Sequence, residues 1–269
     1  MKYETIHNLT LPKIGFGTWK IGGESSPNPK VDSASLAALR SALECGYTHI
    51  DTAEMYAAGH SEELIGQVVR EMHIPRESLF ITSKVMPAHL KYDQVLNSCE
   101  ASLHRLQMDY VDLYLIHWPA MGMKLAETFR ALNKLVRDGK VKHLGVSNFD
   151  VKLLRQSQTL SETPIITNQV PYSISDHSYV KNGVLDYCQQ NDILLTAYSP
   201  VNQGHFRVSK ALQSIAQAHS VTPFQIAIAW LTMQRRVITI PMSLNPVHIK
   251  ENWDAAEINL SAEEMKELS

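Results

Sequence analysis

The sequence carries no surplus of charge of either sign. Its 25 lysines and arginines nearly balance 27 aspartates and glutamates, leaving a formal net charge of −2, so the basic excess of a nucleic-acid-binding chain is missing. Long apolar runs are missing too. None approaches the ~18 residues of a membrane-spanning helix, and the opening stretch MKYETIHNLTLPK has no basic segment leading into an apolar one, so no secretory signal is expected. Cysteine is scarce. Cys45, Cys99 and Cys188 are too few and too scattered for a disulfide framework or a zinc site, and Cys45 and Cys99 fall in apolar helical patterns, where a thiol acts as a small hydrophobe. A cytoplasmic setting is expected, with no nucleic-acid, membrane or metal partner.

What is present suits one large α/β domain spanning residues 1–269, with 44% hydrophobic residues to build its core. Short apolar, β-rich runs recur at residues 14–18, 47–51, 79–84, 111–117, 143–147, 165–169, 193–199 and 237–241, as parallel strands buried on both faces would. Helical patterns fill 34–44, 62–71, 93–106, 125–137, 179–190 and 224–234. Ser61 before Glu62 and Glu63 reads as a helix cap with acidic residues at the positive end of the dipole. Pro223 after Thr222 fits a first helical turn, and Gly139 in Arg-Asp-Gly-Lys fits a left-handed helix stop. About eight such βα units predict a closed (β/α)8 TIM barrel. An open doubly wound sheet also alternates, but it usually carries an early G-x-G-x-x-G turn, and none occurs here. Extra β-like residues in 3–13 predict a hairpin closing the barrel floor.

In such a barrel the reactive groups gather where strands end and βα loops begin. Three consecutive strands end in ionisable side chains: HIDTAEMY presents Asp51 and Tyr56, FITSK presents Lys84, and YLIHWP presents His117. A tyrosine is a poor proton donor at neutral pH, and a nearby ammonium favours its ionised form. Lys84 supplies that charge, Asp51 keeps the lysine protonated, and His117 orients a carbonyl oxygen or relays a proton. The set suits protonating an oxygen that gains negative charge as hydride reaches the adjacent carbon. Singly each residue has a plainer reading: Asp51 as a loop cap, Lys84 as a snorkelling charge, His117 as structural, Tyr56 as packing. Their joint placement favours the chemistry.

These residues resemble the aldo-keto reductase family. DTAEMYAAGHSEELIG is similar to its first signature, and LFITSKV, LYLIHWP, GVSNF, NQVPY, AYSP and the IP-S-P-I-EN pattern follow in family order. The resemblance implies NADPH-dependent reduction of an aldehyde or ketone, with Tyr56 as general acid assisted by Lys84, Asp51 and His117. It implies further that Ser147, Asn148 and Gln169 bind the nicotinamide carboxamide and that Tyr198 stacks on the ring. Asn148 as a helix cap, Gln169 as a core amide and Tyr198 as packing are the alternatives. Thr18, Trp19 and Lys20 would approach the dinucleotide, Ser199, Pro200 and Val201 would follow the pyrophosphate, and Glu251 and Asn252 would lie near the adenine. Two positions depart from the pattern: Met242 stands where the family commonly has a lysine, and His248 where it has an arginine. Both cations help bind the 2′-phosphate, and their loss leaves NADH as an alternative cofactor. Ser243, Asn245 and the amino end of a helix near Pro246 remain to hold an anion.

The substrate wall is expected from Trp19, Met86, His117, Trp118, Met121 and Met123, an apolar and adaptable surface. The loop after His117 is short, and the chain stops in SAEEMKELS, so an open, shallow site is expected. A monomer is expected, with a dimer as the alternative. Two rival readings are a lyase using Lys84 as a Schiff-base amine, which Asp51 would oppose by keeping it charged, and a cofactor-sensing subunit on the same scaffold.

Overall fold

The computed structural model describes the backbone of residues 1–269 and every side chain but that of Gln203. Two short strands, β1 (Tyr3–Ile6) and β2 (Leu9–Pro12), pair antiparallel as a hairpin. Eight parallel strands follow: β3 (Phe16–Gly17), β4 (His49–Asp51), β5 (Phe80–Val85), β6 (Val111–Ile116), β7 (Val141–Ser147), β8 (Ile165–Pro171), β9 (Leu194–Tyr198) and β10 (Val237–Thr239). They pair in chain order. The ends of the sheet meet through a parallel bridge between Ile14 and Thr239, with Gly15 N donating to Thr239 O at 2.8 Å and Gly17 N to Pro241 O at 3.1 Å. A Cβ at Gly17 would lie 2.6 Å from the Ile240 carbonyl oxygen, so only glycine lets this seam close. The fold is the expected (β/α)8 barrel.

Helices α1 (Asp32–Cys45), α2 (His60–Glu71), α3 (Tyr92–Leu106), α4 (Leu125–Arg137), α5 (Val151–Leu160), α6 (Ser178–Lys181), α7 (Val184–Gln190), α8 (Lys210–Ala218), α9 (Pro223–Thr232) and α10 (Pro246–Asp254) cross between strands or follow the last one, and α11 (Ala262–Glu267) ends the chain. Strand β6 is buried along its whole length, as a strand with helices outside and barrel within must be. The hairpin sits at the floor, where Ile6 and Leu11 pack on Leu194 and Ile238.

Several local expectations need correction. Ser61 does not cap α2: the helix begins two residues earlier than expected, at His60 after Gly59, and the Ser61 hydroxyl is buried against Thr18 Oγ1 at 3.1 Å. The pattern at 179–190 is not one helix but two, separated at Gly183 with φ +81°. Helices α5 and α8 lie outside the predicted stretches; each starts at a capping residue, Asp150 or Ser209, whose side chain accepts from the backbone N–H three positions on. Thr222 and Gln225 form a reciprocal capping box around Pro223, and Gly139 takes its left-handed conformation.

Candidate active site

Asp51 is the last residue of β4, Lys84 the last but one of β5, and His117 follows β6 directly. In-register pairing of the three strands therefore delivers all three side chains to one rim. All are buried. The Lys84 ammonium donates to Asp51 Oδ1 at 2.5 Å, to the Thr52 carbonyl at 2.7 Å and to the Tyr56 hydroxyl oxygen at 3.3 Å. An ammonium has three protons. All three are spent inside the site, and the Tyr56 hydroxyl keeps its own proton free to donate. The second Asp51 oxygen accepts from Gln169 Nε2 at 2.8 Å. His117 completes the rim, its ring 5.6 Å from that of Tyr56 and stacked on Trp118 at 4.2 Å.

Burial opposes the charge of Lys84, but Asp51 and then Tyr56 outweigh it and the ammonium is held above its ordinary pKa. Burial also pushes the Tyr56 phenol upward, and Lys84 pulls it back only in part. The expectation that the cation would leave this phenol below its ordinary value is thus corrected: desolvation is the larger effect. Tyr56 is a fully protonated donor at neutral pH, beside a cation that stabilises the phenolate once the proton has left. Burial, with Lys84 second, pushes the His117 imidazole down to about 2, so the ring is neutral, and its buried Nδ1 has no hydrogen-bond partner among the described residues.

Tyr56 stands on an unusual turn. Ala57, Ala58 and Gly59 all have positive φ, at +48°, +52° and +95°, a conformation that costs a side-chain-bearing residue roughly 1–2 kcal/mol. Glu54, two residues before Tyr56, was not foreseen from sequence. Its buried carboxylate accepts from Met86 N at 2.6 Å and lies 3.2 Å from His89 Nδ1, tying the loop after β4 to the loop after β5. The only signal was a charged residue inside a run otherwise read for Asp51 and Tyr56.

The residues implied for the nicotinamide end do come together. Ser147 Oγ donates to the Gln169 carbonyl at 2.8 Å, Asn148 Nδ2 donates to Ser147 Oγ at 2.9 Å and to the His117 carbonyl at 3.1 Å, and the Tyr198 hydroxyl donates to Asn148 Oδ1 at 3.0 Å. Asn148 is not the cap of α5, a role taken by Asp150; it has φ +62°. Thr18 is buried, its hydroxyl on the Asp51 carbonyl at 2.9 Å. Lys20, φ +77°, pairs with Glu24 at 2.8 Å and lies over the Trp19 ring. Beyond Tyr198, Ser199 turns at φ +52°, Pro200 is buried, and Val201 packs on the main core.

At the seam between β10 and α10, Met242 packs against the core while His248 is exposed. Ser243 Oγ accepts from Asn245 N at 3.0 Å and Asn245 Oδ1 caps α10 through Val247 N at 2.9 Å. Glu251 and buried Asn252 follow on the same helix. The one lysine of α10, Lys250, pairs with Asp254 at 2.5 Å.

On the other side Trp19 and Trp118 are 39% and 38% exposed, enough to present ring surface at the rim. Met86 is half-buried beside Glu54. Met121 is wholly exposed, ahead of a turn at Gly122 with φ +75°, and Met123 is half-buried against the main core. Helix α11 packs Leu268 and Met265 on the cluster around Trp230.

The chain belongs to the aldo-keto reductase family: the model of the "Aldo/keto reductase family" matches residues 13–269. Among curated relatives it is 36% identical to methylglyoxal reductase YeaE of Escherichia coli strain K12, over 97% of this chain and 91% of that one. It is 37% identical to glyoxal reductase of Bacillus subtilis strain 168, over 98% and 90%. Among solved structures it is similar to the thermostable aldo-keto reductase Tm1743 in complex with epalrestat, with a TM-score of 0.96 and 44% identity over 100% of this chain and 98% of that one. An aldo/keto reductase from Klebsiella pneumoniae in complex with NADP and acetate gives 0.87 and 36%, over 97% and 91%. This protein is an oxidoreductase of that family.

Proposed function

We propose that the protein reduces small aldehydes and ketones, dicarbonyls of the glyoxal and methylglyoxal type among them, using NADPH, with Tyr56 as proton donor. The observation that carries the reading is the Lys84 ammonium, which spends one proton on Asp51 at 2.5 Å and one on the Tyr56 oxygen at 3.3 Å. That arrangement leaves the phenolic proton for a substrate and places a fixed charge where phenolate forms. The likeness to relatives named as glyoxal and methylglyoxal reductases supports the substrate class, and the neighbour crystallised with NADP supports the cofactor.

The linked set of Ser147, Asn148, Gln169 and half-buried Tyr198 fits a nicotinamide, offering amide and hydroxyl groups next to an aromatic ring. Thr18, Trp19 and Lys20 on one side and Ser199, Pro200 and Val201 on the other would hold the remainder, with Ser243, Asn245, Glu251 and Asn252 toward the adenosine. NADPH, when bound, supplies the hydride that reaches the carbonyl carbon. Tyr56 gives its hydroxyl proton to the carbonyl oxygen, Lys84 stabilises the resulting phenolate, and Asp51 holds the lysine charged and in place. His117, neutral at working pH, orients the carbonyl oxygen rather than supplying a proton from an imidazolium. Met242 and His248 leave the adenosine end without a fixed cation, so NADH is accepted as well, at a smaller penalty than a lysine or arginine there would impose.

The lyase reading is disfavoured. A Schiff base needs a neutral amine, and Lys84 is held charged with all three donors engaged. The free cysteines suit a cytoplasmic setting. A panel of aldehydes, ketones and dicarbonyls, followed by loss of reduced-cofactor absorbance, tests the proposal. Turnover should be found with NADPH, and no consumption of either cofactor on any carbonyl would sink it.

A further inference from the structure

The turn that carries Tyr56 is strained, and the structure shows what braces it. Glu62, in the first turn of α2, is fully buried, which pushes its carboxyl above the ordinary carboxylate range against the opposing pull of Arg105, and it divides its two oxygens between separate elements. Oε1 accepts from Ser83 Oγ at 2.6 Å, in β5 and adjacent in sequence to Lys84. Oε2 accepts from Arg105 Nε at 2.8 Å, in α3, and forms an ion pair with Nη2 at 2.7 Å. The Arg105 side chain lies against Gly59: a Cβ there would meet Arg105 Nε at 2.5 Å and Cδ at 2.6 Å. One buried carboxylate thus joins the strand bearing Lys84 to the arginine that backs the turn bearing Tyr56. A second Arg105 nitrogen, Nη2, also donates to Ser102 Oγ at 3.2 Å, fixing the guanidinium on its own helix.

Burying an ion pair is a poor way to gain stability, because the desolvation cost offsets the attraction. Strain at Ala57 and Ala58 likewise persists only when the surroundings over-determine it, and such strain gathers where function needs it. We infer that the Glu62–Arg105 pair is a positioning device for the reaction: it sets the register of the Tyr56 hydroxyl against the Lys84 ammonium. Neither residue touches substrate. Both act through the turn at Ala57–Gly59 and through Ser83. The inference rests on Tyr56 being the proton donor.

The test compares Glu62→Gln, Tyr56→Phe and the double variant by single-turnover reduction of methylglyoxal, with NADPH binding followed by quenching of tryptophan fluorescence. Glu62→Gln should lower the rate roughly ten- to hundredfold, as small misplacements of reacting groups do, with KM and the NADPH Kd unchanged. In the Tyr56→Phe background it should cost nothing further, since the two act as a unit. An unchanged rate in Glu62→Gln overturns the inference. So does an equal loss in the Tyr56→Phe background, or a parallel weakening of NADPH binding that marks general loosening. If Glu62→Gln does not fold, Ser83→Ala removes only the link to β5. A slower rate at unchanged Kd supports the inference and an unchanged rate overturns it. Full turnover in Tyr56→Phe would instead remove the reading of Tyr56, and the inference with it; loss there with no effect of Glu62→Gln removes the inference alone.

Discussion

Lys84 is fully buried, yet it is held protonated by Asp51, the Thr52 carbonyl and Tyr56. Replacing it with methionine keeps much of the volume but leaves the Asp51 carboxylate buried with only Gln169 as a side-chain partner. Breaking a buried pair in this way costs about 3–5 kcal/mol, so Lys84→Met should lower the unfolding free energy by that order in a denaturant melt and abolish turnover. His49, also deep in the barrel, bonds Thr82 at 3.0 Å and is pushed by burial from the ordinary imidazole value of 6.5 down to about 4. The unfolded chain therefore binds a proton at higher pH than the folded one, and stability falls as pH drops from 6.5 towards 4. His49→Asn should flatten that slope. An identical pH dependence in the variant would refute the assignment.

At the scale of elements, the strand and helix alternation was legible because each parallel strand is an apolar run and most crossover helices carry a long amphipathic repeat. Helices α5 and α8 were not, since each is short, and the caps at Asp150 and Ser209 that start them are visible only once the helix is known. Ser61 misled for a related reason: its hydroxyl is drawn to Thr18 across the barrel rim instead of to the helix end. The four residues proposed for catalysis were legible because three of them end consecutive strands. Glu54 and the Glu62–Arg105 pair were not, because their partners lie 30 or more positions away in sequence and meet only after packing. The turn after Tyr56 gives an element-scale prediction. Ala58→Gly, at an exposed residue with φ +52°, should gain up to about 1 kcal/mol by releasing left-handed strain. Gly59→Ala should lose about 1–3 kcal/mol, as strained backbone and the contact with Arg105 both oppose it. Thermal melts of the two variants should therefore move in opposite directions.

Across the whole molecule, the seam between Ile14 and Thr239 lets the first and last parallel strands complete one barrel, floored by the hairpin. We propose that residues 1–269 form a single domain. Calorimetry should then show one unfolding transition, and two resolved transitions would contradict it. The same seam leads into α10, where Met242 and His248 occupy the proposed adenosine end. Met242→Lys should improve NADPH binding relative to NADH roughly tenfold, the worth of one charge-assisted hydrogen bond, as read by competitive displacement of the two cofactors. No change in the ratio would place the 2′-phosphate elsewhere. The most direct test of the whole reading is Tyr56→Phe, assayed for NADPH-dependent reduction of methylglyoxal beside a measurement of NADPH affinity. The expected result is a loss of turnover of roughly 10²–10⁴-fold, the range of a general acid, with cofactor affinity retained; turnover at the unaltered rate would contradict it.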